Sequence, residues 1–125
     1  VISSPGFATD PGLLRSICER VARRGYYPAG TARQLLAILA AGDRRKELAQ
    51  VRAPTLVIHG THDPLLPVAA GRDTARHIPG ARLIEIEGMG HDLPPELTPR
   101  LVDKIARHCH TAESSAKVTE GFADQ

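Results

Sequence analysis

The sequence has 125 residues, of which 42% are hydrophobic and 24% charged, the balance of one globular domain rather than of a disordered or fibrous chain. Its net charge of +2 comes from interspersed signs and only 3% of its residues are aromatic, which argues against a nucleic-acid partner. Because every apolar run falls far short of the ~20 residues that cross a bilayer, we expect no membrane span.

The cysteines and the first residues bear on the compartment and on the length of the protein. Cys18 and Cys109 match no disulfide or metal-binding pattern, and their place on apolar faces of predicted helices indicates buried free thiols. With no recognisable signal peptide, these features predict a cytoplasmic protein. The chain opens on VISSPGFATD, which has no initiating Met and is typical of a loop, so we expect residues 1–125 to be part of a longer protein.

Residues 1–50 show helical patterns and no strand. A helix is predicted to begin at Asp10, where an N-cap residue precedes a proline, and to end at Gly25. Apolar residues at helical spacing predict a second helix over 31–41, and Asp43 is a candidate cap for a third, short one.

From residue 51 the pattern changes to strand, helix, strand, helix. TLVIHG at 55–60 is a continuous β-branched run, typical of a parallel strand buried on both faces, and RLIEIE at 82–87 is the second strand. The helix between them covers 67–77. A last helix ends near His110, and the small, polar residues 111–125 are predicted to form a flexible tail. Since two strands make an incomplete sheet, we expect the remaining strands upstream of residue 1.

Two loops at the ends of these strands carry residues whose side chains are suited to catalysis. Asp63 follows the first strand and His91 follows the second. Parallel strands end at the same edge of a sheet, so the two loops should lie close together. A carboxylate beside an imidazole fixes the ring tautomer and stabilises the imidazolium, which makes His91 a candidate general base and Asp63 its orienting acid. Gly88 and Gly90 would give the histidine loop the backbone freedom it needs to turn sharply.

The segments APTLVIHGTHDPLLPV and ARLIEIEGMGHDLP resemble the last third of α/β-hydrolase fold enzymes, over about Val51 to His108. The resemblance implies an α/β fold, with residues 1–50 as part of a helical lid and 51–110 as the C-terminal part of the core. Among subfamilies, it is nearest to bacterial esterases of the polyketide methylesterase and lipase-like group. It implies hydrolysis of a small ester through an acyl-enzyme, with Asp63 and His91 as triad acid and base and with no cofactor.

The nucleophile of that family is missing from this sequence. No G-x-S-x-G motif is present, so the resemblance places the serine outside the chain and predicts that the chain alone is inactive. Four further residues are expected near the site from their position in the two loops: His62, Leu65, Met89 and Leu93.

Other interpretations of the same residues stay open at this point. Asp63 followed by proline is a common turn former, and His91 alone could be a surface histidine. A metal site built from His59, His62, Asp63 and His91 fits no known zinc spacing, so no metal is expected. Fold relatives with other chemistry include C–C hydrolases, lactonases, dehalogenases and perhydrolases. A non-catalytic module that binds a partner through its open sheet edge and apolar helix faces is the alternative of a different class. A homodimer is a separate expectation.

Overall fold

The computed structural model describes residues 3–123, with side chains described as far as residue 115. The elements of this part of the chain are, in order, α1 (Pro11–Arg24), α2 (Pro28–Ala41), α3 (Arg45–Leu48), β1 (Leu56–Gly60), α4 (Val68–His77), β2 (Arg82–Ile86), a 3₁₀ turn (Pro95–Leu97) and α5 (Thr98–Ala123).

The helix ends of the first fifty residues follow the predicted capping signals. The Asp10 side chain accepts a hydrogen bond from a backbone N–H in the first turn of α1, and Gly25, with φ of 148°, ends the helix. Gly42, with φ of 60°, ends α2 in the same way. Asp43 accepts from the backbone N–H of Arg45 at 3.0 Å and starts α3. Glycine suits both stops because other residues are strained at positive φ.

The predicted parallel pair is confirmed. β1 and β2 pair in register from Leu56 opposite Arg82 to Gly60 opposite Ile86, and α4 is the crossover between them. Alternation along β1 directs Ile58 to the hydrophobic core, whereas the ring of His59 lies against Gly71 of α4. The α4 and α5 helices therefore cover opposite faces of this two-stranded sheet.

The core lies under the ends of the strands. It consists of Ile86, Met89, Leu97 and Leu101, with Phe7, Ile58 and Ile84 packed against it. Phe7 belongs to residues 3–10, the segment before α1, which is called the N-terminal segment below. This segment therefore packs onto the same end of the sheet as the loop after β2. This arrangement concentrates buried apolar surface directly beneath the two loops that carry Asp63 and His91.

Several boundary and burial predictions are wrong. α2 begins at Pro28 rather than at residue 31, because proline is well tolerated in the first turn of a helix. β1, predicted to be buried on both faces, is only partly buried apart from Gly60, since it has a single neighbour in the described sheet. Cys18 and Cys109 are exposed, because nothing in the described part of the chain covers their helix faces.

The predicted end of the last helix near His110 is also wrong, whereas the flexibility of residues 111–125 stays a prediction. Residues 111–123 continue α5, and only 124 and 125 lie outside the described residues. The segment 111–120 contains no glycine or proline that would stop the helix. The hydroxyl groups of Thr111, Ser114 and Ser115 each donate to the carbonyl four residues earlier, so these polar side chains are accommodated within the helix.

Candidate active site

Asp63 organises the loop that follows β1. Its Oδ1 atom accepts hydrogen bonds from the backbone N–H groups of Leu65 at 2.8 Å and Leu66 at 2.9 Å. Its side chain is only 6% exposed. The turn-forming interpretation is thus correct for one carboxylate oxygen, and the second oxygen remains available for another partner.

That partner is His91. The Nδ1 atom of His91 lies 2.7 Å from Oδ2 of Asp63, and the imidazole is 36% exposed. A carboxylate accepts and cannot donate, so the proton of this hydrogen bond sits on Nδ1 and Nε2 is the outward-facing nitrogen. Among the described residues, none forms a hydrogen bond with Nε2. The ring therefore combines a fixed tautomer with a nitrogen that can take up a proton.

The surroundings of Asp63 keep it ionised. Its partial removal from solvent raises its pKa, but the hydrogen bonds from Leu66, His91 and Leu65, together with the charge of His91, outweigh that effect. The net result lowers the pKa of Asp63 from 3.8 to about 2. At neutral pH the residue is a carboxylate, which is the state that stabilises an imidazolium.

Hydrogen bonds join the two loops directly. The backbone N–H of His62 donates to the carbonyl of Met89 at 3.0 Å, and the backbone N–H of Gly88 donates to Oγ1 of Thr61 at 3.1 Å. Gly88 has φ of 73°, as its predicted role requires, whereas Gly90 is not among the positive-φ glycines of the described residues. Gly90 is instead buried and its N–H is engaged by Ser4.

Gly60 allows the two loops to approach. A Cβ atom at Gly60 would lie 2.1 Å from the carbonyl oxygen of Met89, which is backbone and cannot move aside. The last residue of β1 must therefore be glycine for the loop after β2 to pass over it. This close approach brings His91 within reach of Asp63.

The N-terminal segment holds the outer side of the histidine loop. The N–H of Gly6 donates to the carbonyl of Gly88 at 2.9 Å. The hydroxyl of Ser4 accepts from the N–H of Gly90 at 2.7 Å and donates to Oδ1 of Asp92. No sequence motif marks Ser4, because its partners lie 86 and 88 residues away.

A cleft of about 280 Å³ opens beside the Asp63–His91 pair. Of the four residues expected near the site, Met89 and Leu93 line it. The side chains of His62 and Leu65 do not: His62 points toward Thr61 and Glu87, and Leu65 is 58% exposed and contributes its backbone N–H to Asp63. The remaining lining is mostly apolar: Ile58, His59, Gly60, Leu66, Gly90 and Asp92, in addition to the pair itself.

The described residues contain neither a metal-binding cluster nor a membrane-spanning helix. Within residues 3–115, no three His, Cys, Asp or Glu side chains converge on a point where they could hold a metal ion. His59 is turned toward α4, and its Nδ1 atom lies 3.0 Å from the carbonyl oxygen of Gly60. None of the helices in this part of the chain is long and apolar enough to cross a membrane. The cytoplasmic location and the homodimer stay predictions.

Comparison with protein families matches residues 1–98 to the model described as serine aminopeptidase, S33, a group of hydrolases. The chain belongs to this family. The match covers the segment from the N-terminus to the start of α5 and includes both loops of the site. The predicted resemblance to esterases of the α/β-hydrolase fold is thereby confirmed.

Curated relatives of the chain are bacterial methyl esterases. It is 42% identical over 69 residues to rhodomycin D methylesterase DnrP of Streptomyces peucetius, which covers 55% of this chain and 23% of the relative. It is 41% identical to the pimeloyl-[acyl-carrier protein] methyl ester esterase of Nitrosomonas europaea, over 54% of this chain and 27% of the relative. The corresponding Xanthomonas campestris pv. campestris esterase is 36% identical over 69% of this chain and 34% of the relative. The chain thus spans about a quarter to a third of the length of these relatives.

A solved structure is also similar. The esterase RhEst1 from Rhodococcus sp. ECU1013 is 27% identical, with a TM-score of 0.49, over 54% of this chain and 25% of that chain.

Proposed function

We propose that the protein is a carboxylic ester hydrolase in which His91 is the general base and Asp63 orients it. The observation that carries this proposal is the 2.7 Å hydrogen bond between Nδ1 of His91 and Oδ2 of Asp63 at the carboxyl ends of two parallel strands. The nucleophile in this proposal is a serine supplied from outside the 125 residues. Ser4, the serine beside the histidine loop, is engaged with Gly90 and Asp92 and makes no hydrogen bond to His91.

The proposed reaction proceeds through an acyl-enzyme. Nε2 of His91 accepts the proton of the serine hydroxyl while the serine oxygen attacks the ester carbonyl carbon. Collapse of the tetrahedral intermediate breaks the bond to the alcohol oxygen, which leaves with the proton from His91. Water then attacks the acyl-enzyme, gives one proton to His91 and releases the acid, and that proton returns to the serine. Asp63 remains ionised throughout and stabilises the imidazolium in both steps.

Small methyl esters are the substrate class that we propose. The relatives from Streptomyces and Nitrosomonas carry names that describe methyl ester cleavage. A largely apolar cleft beside His91, with Met89 and Leu93 in its wall, suits an acyl group with a hydrocarbon surface.

We further assign α1 and α2, within residues 1–50, to a helical lid and residues 51–110 to the catalytic core. Ser4 and Phe7 pack against that core, so the segment before α1 belongs with it rather than with the lid. This division is supported by the packing: within the described residues, no residue of α1 or α2 is buried, and large apolar side chains of both helices face outward. A lid packs its apolar side onto substrate and onto other parts of an enzyme. When those parts are absent, the apolar side chains of a lid are exposed, as they are in α1 and α2.

The decisive experiment compares variants of the protein isolated at its native length. Hydrolysis of p-nitrophenyl butyrate and of a small methyl ester is measured for the wild type, His91→Ala, Asp63→Asn and the control His110→Gln, which alters an exposed residue of α5. We expect kcat to fall roughly 10⁴- to 10⁶-fold in His91→Ala and roughly 10⁴-fold in Asp63→Asn. The control should keep wild-type kcat.

Retention of wild-type kcat in His91→Ala would overturn the proposal. The 125-residue chain alone should be inactive. If that chain hydrolysed the ester in a manner that depends on His91, the nucleophile would lie within it and our assignment of an external serine would be wrong.

A further inference from the structure

Ser4 has an environment that the proposed chemistry does not use. It is the buried polar residue of the described chain, with only 3% of its surface exposed. Its hydroxyl accepts a hydrogen bond from the N–H of Gly90 at 2.7 Å and donates its own proton to Oδ1 of Asp92. Gly90 and Asp92 are the residues immediately before and after His91. One side chain from the N-terminal segment is thus bonded to the backbone of the residue before His91 and to the side chain of the residue after it.

The neighbouring contacts leave the histidine loop little freedom. On the Ser4 side, the N–H of Gly6 donates to the carbonyl of Gly88, and a Cβ atom at Gly6 would lie 2.6 Å from the Cα atom of Gly88. On the opposite side, the N–H of His62 holds the carbonyl of Met89. The loop is therefore fixed between the N-terminal segment and the Asp63 loop.

Loss of the Ser4 hydroxyl would leave the buried N–H of Gly90 unsatisfied, since no other described residue accepts from it. An unpaired buried donor is costly, so the loop would move to find water or another acceptor. Such a movement of Gly90 displaces His91, which is the next residue. Errors of about 1 Å in the position of a catalytic group cost up to roughly 100-fold in rate.

We propose that Ser4 is a positioning residue. By holding the backbone N–H of Gly90 and the carboxylate of Asp92, it fixes the loop around His91 so that Nδ1 meets Asp63 and Nε2 faces the reacting group. This inference rests on the proposed role of His91 as general base. It gives Ser4 no part in covalent chemistry, because its proton is donated to Asp92 and its oxygen accepts from Gly90.

The test uses Ser4→Ala and Asp92→Ala, which removes the acceptor of the hydrogen bond that Ser4 donates. The matched control is Ser114→Ala, which removes an exposed hydroxyl that bonds only to its own helix at the carbonyl of His110. Two readouts are taken for the native-length protein. One is kcat and KM for p-nitrophenyl butyrate per folded molecule, with the folded fraction from circular dichroism, and the other is the NMR resonance of the Nδ1 proton of His91.

For Ser4→Ala we expect kcat to fall roughly 10- to 100-fold with KM unchanged, together with loss of the slowly exchanging Nδ1 proton resonance. Asp92→Ala should show the same change in smaller measure, because it keeps the bond from Gly90 to Ser4. If Ser4→Ala does not fold, the more exposed Asp92→Ala decides the matter by the same readouts. Wild-type kcat and an unchanged Nδ1 resonance in whichever variant folds would overturn the proposal.

These outcomes separate this proposal from the proposed function. If the wild-type protein shows no hydrolysis that depends on His91, the function fails, yet the Nδ1 resonance still reports whether Ser4 fixes the ring. If the wild type is active and Ser4→Ala matches it per folded molecule, the positioning role fails and the function stands.

Discussion

Apolar side chains are exposed in α1 and α2 but buried around the ends of β1 and β2. Leu39 of α2 is 70% exposed, whereas Leu101 of α5 is 7% exposed, although both lie on the apolar side of an amphipathic helix. The two regions also differ in their long-range hydrogen bonds. Side-chain and backbone hydrogen bonds between distant parts of the sequence join the N-terminal segment and the loops after both strands.

Amphipathic spacing and capping predict where these helices begin and end, whereas the geometry of the site depends on long-range contacts. α1 has a side-chain N-cap from Asp10, and glycine ends both α1 and α2, yet these features fix only local structure. The position of His91 depends instead on contacts from Ser4, Gly6, His62 and Asp63. We therefore expect substitutions around the site to affect stability and activity together, and substitutions in α1 and α2 to have little effect unless a partner covers them.

The largest expected contrast in stability compares Leu101→Ala with Leu39→Ala. Leu101 belongs to the buried core, and its truncation should lower the free energy of unfolding by about 2–5 kcal/mol. Leu39 is exposed, so its truncation should change that free energy by less than about 0.5 kcal/mol. Urea denaturation followed by circular dichroism measures both.

A large loss of stability in Leu39→Ala would contradict the expectation that α2 is exposed and contributes little to stability. It would mean that α2 is packed in solution, against a second copy of the chain or against another part of the protein, and sedimentation at several concentrations distinguishes these two cases. The same result would favour the alternative in which the helical segment is an interaction module.

A smaller contrast comes from replacing glycine by alanine in each region. Gly60→Ala places a methyl group against the carbonyl of Met89, with no side chain that can move aside, and should cost about 1–3 kcal/mol of unfolding free energy. Gly12→Ala, in the first turn of α1, places its methyl group 3.4 Å from the flexible Asp10 carboxylate and should stabilise by about 0.5–1 kcal/mol. Opposite signs in the urea midpoints are expected, and a neutral Gly60→Ala would show that the two loops are not packed as described.

The sequence was sufficient to predict the acid and base loops because their placement follows from a general rule. Two apolar β-branched runs separated by a helix predict parallel strands, and parallel strands end at one edge. Asp63 and His91 could therefore be assigned to one place before any distance was known, and the structure brings their side chains within 2.7 Å.

The features that sequence reasoning missed depend on contacts between distant residues or on surfaces without partners. Nothing in the neighbourhood of Ser4 predicts that it will meet Gly90, 86 residues later. Cys18 lies on an apolar helix face and was expected to be buried, but burial requires a partner for that face. Gly90 was expected to supply unusual backbone angles, whereas what the structure shows is a buried N–H that needs an acceptor.

The smallest expected effect concerns how the stability of the region around β1 and β2 depends on pH through Asp63. Its pKa is lowered from 3.8 to about 2 in the folded protein, so the carboxylate is stabilised relative to the unfolded chain. A lowered pKa contributes stability that is fully present above pH 3.8 and is lost as the pH falls toward 2. In Asp63→Asn this contribution is absent, and the decline of the urea midpoint between pH 5 and pH 2 should be shallower than in the wild type. Leu39→Ala changes no charge and should decline in parallel with the wild type, so a parallel decline in Asp63→Asn as well would show that the carboxylate gains nothing from its contacts with Leu65, Leu66 and His91.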